Sequence, residues 1–183
     1  FVRPAADRTR CALFSALGDK IPGARVLDLF AGTGSLGLEA LSRGAATCLF
    51  VEKSPPVVRC LRQNMERVRL EGSVMTADSA EALKSLAGRG QTFDIIFADP
   101  PFWKPSDRSQ NIASNPEQRR FSLELLASPH LPAILAPGGL LVLDSFHLET
   151  FDIPAGWILL REKTYGQVRV QFLAHSDHER PLP

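Results

Sequence analysis

The stretch Arg25-Val-Leu-Asp-Leu-Phe-Ala-Gly-Thr-Gly-Ser-Leu-Gly37 constrains the fold more than any other part of this 183-residue chain. Val26, Leu27, Leu29 and Phe30 make a short apolar run that reads as a strand. Gly32, Gly34 and Gly37 complete a G-x-G-x-x-G turn, and Leu36, Leu38, Ala40 and Leu41 continue it as a helix that Gly44 stops. The alternation recurs, with strands predicted over Thr47 to Glu52, Gly72 to Thr76 and Phe93 to Ala98. Between them lie helices over Val57 to Leu70, with Leu61, Met65 and Val68 on one face, and over Ser79 to Leu86, capped by Asp78 or Ser79. Strands in which Asp94 is the sole break in an apolar run are those covered on both faces by helices. A polar stretch follows from Trp103 to Asn115, then a helix from about Glu117 to Leu126, a fifth strand over Leu140 to Ser145, and a hairpin of Trp157 to Lys163 with Val168 to Leu173 around Tyr165-Gly-Gln167. The expected fold is therefore α/β: a doubly wound, Rossmann-like, mostly parallel sheet closed by an antiparallel C-terminal hairpin strand. One domain is expected over residues 1–174, with an N-terminal helical segment over 1–20 and a tail over 175–183.

Such a sheet gathers its ligand at the carboxyl ends of the strands, where Phe30, Glu52, Asp78 and Asp99 would converge. The glycine turn alone serves dinucleotides and other nucleotide cofactors equally. Asp28, just before it, would repel a pyrophosphate and suits a ligand carrying an ammonium and a sulfonium, as S-adenosylmethionine does. Glu52 can accept from ribose hydroxyls in either kind of cofactor, and Asp78 can accept from an adenine amine or simply cap a helix. The candidate cofactor set is Asp28, Phe30, Ala31, Gly32, Thr33, Gly34, Glu52, Lys53, Asp78 and Ser79.

Asp99-Pro100-Pro101-Phe102 selects the chemistry. An exocyclic amine of a nucleobase is a poor nucleophile because its lone pair is delocalised into the ring. The Asp99 carboxylate and the Pro100 carbonyl can accept its two N–H protons and leave the lone pair aimed at a methyl group. Two consecutive prolines hold those acceptors in extended geometry, and Phe102 can stack on the base.

With these residues in view, the chain resembles the class I S-adenosylmethionine-dependent methyltransferases, and among them the RsmD-type guanine-N2 methyltransferases of small-subunit (16S) ribosomal RNA. Arg3-Pro-Ala-Ala-Asp-Arg-Thr-Arg-Cys-Ala-Leu-Phe14 is similar to the family's R-P-T-x-D-R-x-R-E-x-L-F opening, Asp28 to Arg43 to its cofactor loop, Asp99 to Phe102 to its catalytic tetrapeptide, and Arg161-Glu-Lys-Thr-Tyr-Gly-Gln-Val168 to its closing hairpin. Cys11 stands where the family usually has Glu, and Ala5 and Ala6 replace Thr and Ser or Thr. The resemblance implies a seven-stranded sheet with its last strand antiparallel, S-adenosyl-L-methionine as cofactor, and a guanine N2 amine as methyl acceptor. It also implies a basic hairpin upstream of Arg3, so segment 1–20 is expected to be truncated at the front.

A net charge of +1 leaves any basic footprint local: Arg3, Arg8 and Arg10 at the front, and Lys104, Arg108, Arg119 and Arg120 around the polar stretch, are the candidate phosphate contacts. The target nucleotide must be unpaired or extruded, and an assembling small subunit is the expected partner of a monomeric enzyme. Cys11, Cys48 and Cys60 carry no metal or disulfide spacing, and His175-x-x-His178 is read as part of a solvated tail, so no metal is expected. No apolar run is long enough to span a bilayer, which points to the cytoplasm. Three other readings remain: an adenine-N6 methyltransferase, an RNA-binding assembly factor without turnover, and, more remotely, a dehydrogenase.

Overall fold

The computed structural model describes residues 4–100, 116–147, 149 and 151–178, and side chains for 9–100, 121–147, 149 and 151–177. Helix α1 (Pro4–Leu17) buries Leu13, Phe14 and Leu17 and sets the Phe14 ring 5.6 Å from that of Phe97. A short 3₁₀ turn, Gly18–Lys20, leads into β1 (Arg25–Asp28), α2 (Ser35–Ser42), β2 (Thr47–Val51), α3 (Pro55–Val68), β3 (Ser73–Met75), α4 (Ser79–Gly88) and β4 (Phe93–Ala98). Proline at the start of α3 costs no hydrogen bond, and Val58, Leu61 and Met65 then recur on its buried face. Asp78 caps α4 by accepting from the Ala80 amide at 3.0 Å.

After β4 come α5 (Pro116–Leu126), α6 (His130–Ile134), β5 (Leu135–Phe146), β6 (Trp157–Tyr165), β7 (Val168–His175) and a 3₁₀ turn, Ser176–His178. The seven strands form one sheet in the order β3-β2-β1-β4-β5-β7-β6. Strands β1 to β5 are parallel, and β7 runs antiparallel between β5 and β6, which leaves β6 at the edge. Leu13, Phe14, Ala40 and Leu61 cover one face with Val26, Phe97 and Val142; Leu83, Leu86, Leu125, Leu131 and Ile134 cover the other with Leu27, Ile96 and Leu141. Strands buried on both sides explain the apolar runs.

Asp94, the polar exception in β4, lies at the amino end of the β1/β4 junction. It accepts from the Arg25 amide at 2.8 Å and from its guanidinium at 2.9 and 3.1 Å. Chiefly the hydrogen bond from the Arg25 side chain holds its carboxyl below the usual range.

Two expectations need correction. The fifth strand starts at Leu135, not Leu140, and α6 precedes it; β5 pairs Phe93 with Leu135 and Ile95 with Leu140, absorbing Pro137-Gly138 as an irregularity that reads as a loop from composition. The last strand runs through Ala174 and His175, where a tail was expected. His175 is 8% exposed because its ring packs edge-on to Trp157 at 5.0 Å, while the Trp157 indole donates to the Leu126 carbonyl at 2.8 Å.

Candidate functional site

Strand order runs outward in opposite directions from β1 and β4, so the loops leaving their carboxyl ends part and open a crevice between them. A cavity of about 560 Å³ lies there. Its floor begins at Asp28, the last residue of β1. The Leu29 amide donates to the Phe97 carbonyl of β4 and the Ala31 amide to the Val51 carbonyl of β2, both at 2.9 Å, so the turn is tied to both neighbouring strands. The chain then reverses within four residues, the Gly34 amide donating to Ala31 at 2.7 Å with Gly34 at φ +91°, a conformation suited to glycine, and α2 starts.

Asp28 is 1% exposed, and its Oδ2 accepts from the Gly37 amide at 2.9 Å. It therefore shapes the turn from beneath while still lining the cavity. Burial pushes its carboxyl up to about 7; the Gly37 amide opposes this, and the charges of Asp99 and Glu52 add to it. Glu52 bridges the end of β2 to the turn, its Oε2 accepting from the Gly32 amide at 3.1 Å and its Oε1 from Ser54 at 2.8 Å. Each carboxylate oxygen keeps a lone pair for a ligand hydroxyl. Asp78 spends Oδ1 on its cap and lines the cavity beside Ser79.

Asp99 and Pro100, just past β4, line the cavity with the glycine turn. Of the candidate residues, the structure brings Asp28, Phe30, Ala31, Gly32, Thr33, Glu52, Lys53, Asp78, Ser79, Asp99 and Pro100 around this one space. Gly34 supports it from the start of α2 without lining it. Arg10 also lies outside the lining, its guanidinium 3.8 Å from Glu39 of α2. Arg3, Pro101, Phe102, Trp103, Lys104 and Arg108 lie outside the described residues, as do the side chains of Arg8, Arg119 and Arg120.

Two contributors escaped the sequence reading. Phe121 of α5 reaches the cavity and meets Phe30 edge-to-face with ring centroids 5.4 Å apart; nothing in its helical surroundings marks it in the sequence. Asn64 of α3 donates to the Thr33 carbonyl at 3.0 Å and holds the turn from outside. Among the described residues the lining sets Asp28, Glu52, Asp78 and Asp99 against the single cation of Lys53, a balance that favours a positively charged ligand. Among the described residues no group of three His, Cys, Asp or Glu side chains is placed to hold a metal ion.

The model of a family described as Conserved hypothetical protein 95 matches residues 1–174. The Escherichia coli Ribosomal RNA small subunit methyltransferase D is 35% identical over 169 residues, covering 91% of this chain and 76% of that protein. The Bacillus subtilis protein YlbH is 38% identical over 102 residues, and there the match spans about half of each partner, 55% of this chain and 55% of YlbH. Among solved structures, the Escherichia coli protein yhhF superposes with a TM-score of 0.71 at 32% identity, covering 95% of this chain and 88% of that one. The Thermus thermophilus 16S rRNA N2 G1207 methyltransferase RsmC, in complex with AdoMet and guanosine, superposes with a TM-score of 0.67 at 26% identity over 98% of this chain and 44% of that one.

Proposed function

The chain belongs to the family described as Conserved hypothetical protein 95, and from that premise we propose that it transfers a methyl group from S-adenosylmethionine to the N2 amine of a guanine in small-subunit ribosomal RNA. The observation that carries the reading is the placement of Asp99 and Pro100 on the same acid-lined cavity as the glycine turn. The name of the Thermus thermophilus relative, a 16S rRNA N2 G1207 methyltransferase, supports this acceptor, and that of the Escherichia coli relative, a small-subunit ribosomal RNA methyltransferase, supports the class of RNA.

The residues fit the cofactor. The unused lone pairs of Glu52 suit ribose hydroxyls, the free carboxylate oxygen of Asp78 suits an adenine amine, Phe30 offers an apolar wall, and Asp28 suits a cationic amino-acid end. Bound there, S-adenosylmethionine supplies an electrophilic methyl carbon on a sulfonium. Asp99 and the Pro100 carbonyl accept the two amine N–H groups and aim the lone pair, so the protein contributes preorganised acceptors in place of a strong base. The proton leaves after transfer, to Asp99 or to water. We further propose that the enzyme works in the cytoplasm as a monomer on an assembling small subunit; among the described residues no helix is long and apolar enough to cross a membrane.

The test is transfer of labelled methyl to unmethylated small subunits, followed by digestion to nucleosides. Label in N2-methylguanosine supports the reading, and label in N6-methyladenosine replaces it with the other amine. In a thermal melt, adenosylhomocysteine at a hundredfold excess over its Kd is expected to raise Tm by about 5–10 °C and NAD to leave it unmoved; the reverse would make the cavity a dinucleotide site.

Asp28 predicts a pH dependence of binding. Its carboxyl titrates near 7 in the free protein, raised above the unfolded value by burial, so its contribution to folding stability is present below about pH 4 and lost as pH rises to about 7. A cationic ligand favours the ionised form and must displace the proton below that pH. Calorimetry should therefore show adenosylmethionine affinity rising about fivefold from pH 6 to pH 7 and levelling above about pH 8, with Asp28→Asn flattening the profile. A flat wild-type profile would remove Asp28 from contact with the cofactor's charge.

A further inference from the structure

We propose that Asp144, through a protonated carboxyl that donates a hydrogen bond to the Asp99 carboxylate, is a positioning residue that fixes which Asp99 oxygen accepts from the target amine; the catalytic part of this rests on the methyl-transfer reading above. The parallel register of β4 and β5 ends on the pair Ala98 and Leu143, so Asp99 and Asp144 are the next residues on adjacent strands and share a face. It is the face on which Phe97 and Val142 lie in one apolar layer. Asp28, paired with Phe97, stands on the same face one strand farther on.

Asp144 is 7% exposed, and among the described residues its Oδ1 is buried with no hydrogen-bond partner. A native carboxyl rarely stays so unless it is neutral or has a specific task. Among the described residues, those packed around it offer no neutralising cation. Across on β7 its partner is Val170, and Val168 follows on the same face; Arg169 alternates to the opposite face and spends its guanidinium on the His147 and Glu149 carbonyls. From α1 the layer receives Leu13 and Phe14, while Arg10 of that helix is paired with Glu39; the side chains of Asp7 and Arg8 lie outside the described residues. Among the described residues the titratable group that faces Asp144 is thus Asp99, with Asp28 beyond it. Burial first, and the Asp99 charge second, push the Asp144 carboxyl well above the usual carboxylate range.

Two neighbouring carboxyls that cannot both ionise share one proton, and the more buried one keeps it. Asp99, half-buried and lining the cavity, is the less buried of the two. A hydrogen bond from Asp144 to one Asp99 oxygen then directs the amine to the other. Asp144 forms and breaks no bond with the substrate.

Two measurements separate this from a plain packing role. In the ligand-free protein at about pH 8, where Asp28 is mostly ionised, infrared difference spectroscopy of wild type against Asp144→Asn is expected to show the carbonyl band of one protonated carboxylic acid that the variant lacks. In methyl transfer, Asp144→Ala is expected to lower kcat about ten- to a hundredfold with KM for adenosylmethionine unchanged, as loss of a supporting hydrogen bond does, and Asp144→Asn, whose amide still donates, to restore kcat to within about threefold of wild type. Absence of the band overturns the proposal even if the protein methylates guanine. Equal losses in Asp144→Asn and Asp144→Ala overturn it as well, because volume, not a donor, would then be what matters. The infrared result stands whether or not guanine proves to be the acceptor.

Discussion

Asp99→Ala is expected to lower methyl transfer to small ribosomal subunits about a thousandfold while adenosylhomocysteine still binds within a few-fold of wild type. The loss follows from the role proposed for the residue: accepting one N–H of the amine so that the lone pair is no longer shared with the ring, an interaction that strengthens as the nitrogen becomes positive. Removing one preorganised stabiliser of developing charge costs about 10²–10³ in kcat, and misaiming the lone pair adds to that. Cofactor binding survives because the turn is held by Asp28, Glu52 and the β2 and β4 carbonyls, none of which needs Asp99. Since the Asp99 charge helps to raise the Asp28 carboxyl, the same variant should also move the pH profile of binding to lower pH. Unchanged turnover would shift the chemistry to another part of the cavity.

Gly37→Ala is expected to cost about 1–3 kcal/mol of stability, seen as a Tm lower by several degrees, and to weaken adenosylmethionine binding. Gly37 has an ordinary helical backbone, so the reason is space. A Cβ there would run into the Phe50 ring and stand 2.7 Å from the Cys48 sulfur, both on β2. Helix α2 would have to lift off the sheet, taking with it the Gly37 amide that donates to Asp28. Gly88→Ala, at the end of α4 where a Cβ meets nothing within 4 Å, is the matched control and should be neutral or slightly stabilising. Equal melting temperatures for the two variants would mean that α2 does not rest on β2 as closely as described.

The left half of the sheet and its ligand turn are readable from the chain because each strand is a short apolar run ended by glycine or an acid, and burial on both faces leaves no room for another pattern. Asp28, Glu52, Asp78 and Asp99 stand out for the same reason: each is an acid just where an apolar run stops. What the pattern does not convey is depth. Asp28 is buried under its turn, whereas Glu52 bridges two loops, and only packing separates them. The right half is harder. Pro132 and Pro137-Gly138-Gly139 look like loop punctuation, yet they sit in α6 and inside β5, because β4 pairs on both sides of the irregularity. Asp144 hides in the run from Leu140 to Ser145, and its neighbour on the next strand is known only once the register is known. His175 looked like tail for want of apolar flanks, but a ring contact with Trp157, eighteen residues earlier, holds it. Arg10 has the composition of a phosphate contact, and its pairing with Glu39 depends on how α1 crosses α2.

The junction of β1 with β4 also governs how the site comes into being. The proposed donor cradle is encoded between Asp28 and Ser79 and the proposed acceptor side from Asp99 onward, and the strands that lead into them, β1 and β4, pair directly along that one seam, where the Arg25 and Asp94 partners are 69 residues apart. Pairings within β1 to β3 close much shorter loops and carry the smaller entropic cost. The seam is a high-contact-order event, slow relative to what surrounds it. Competence to transfer a methyl group therefore depends on that long-range closure, because the two sides of the cavity meet only where β1 pairs with β4.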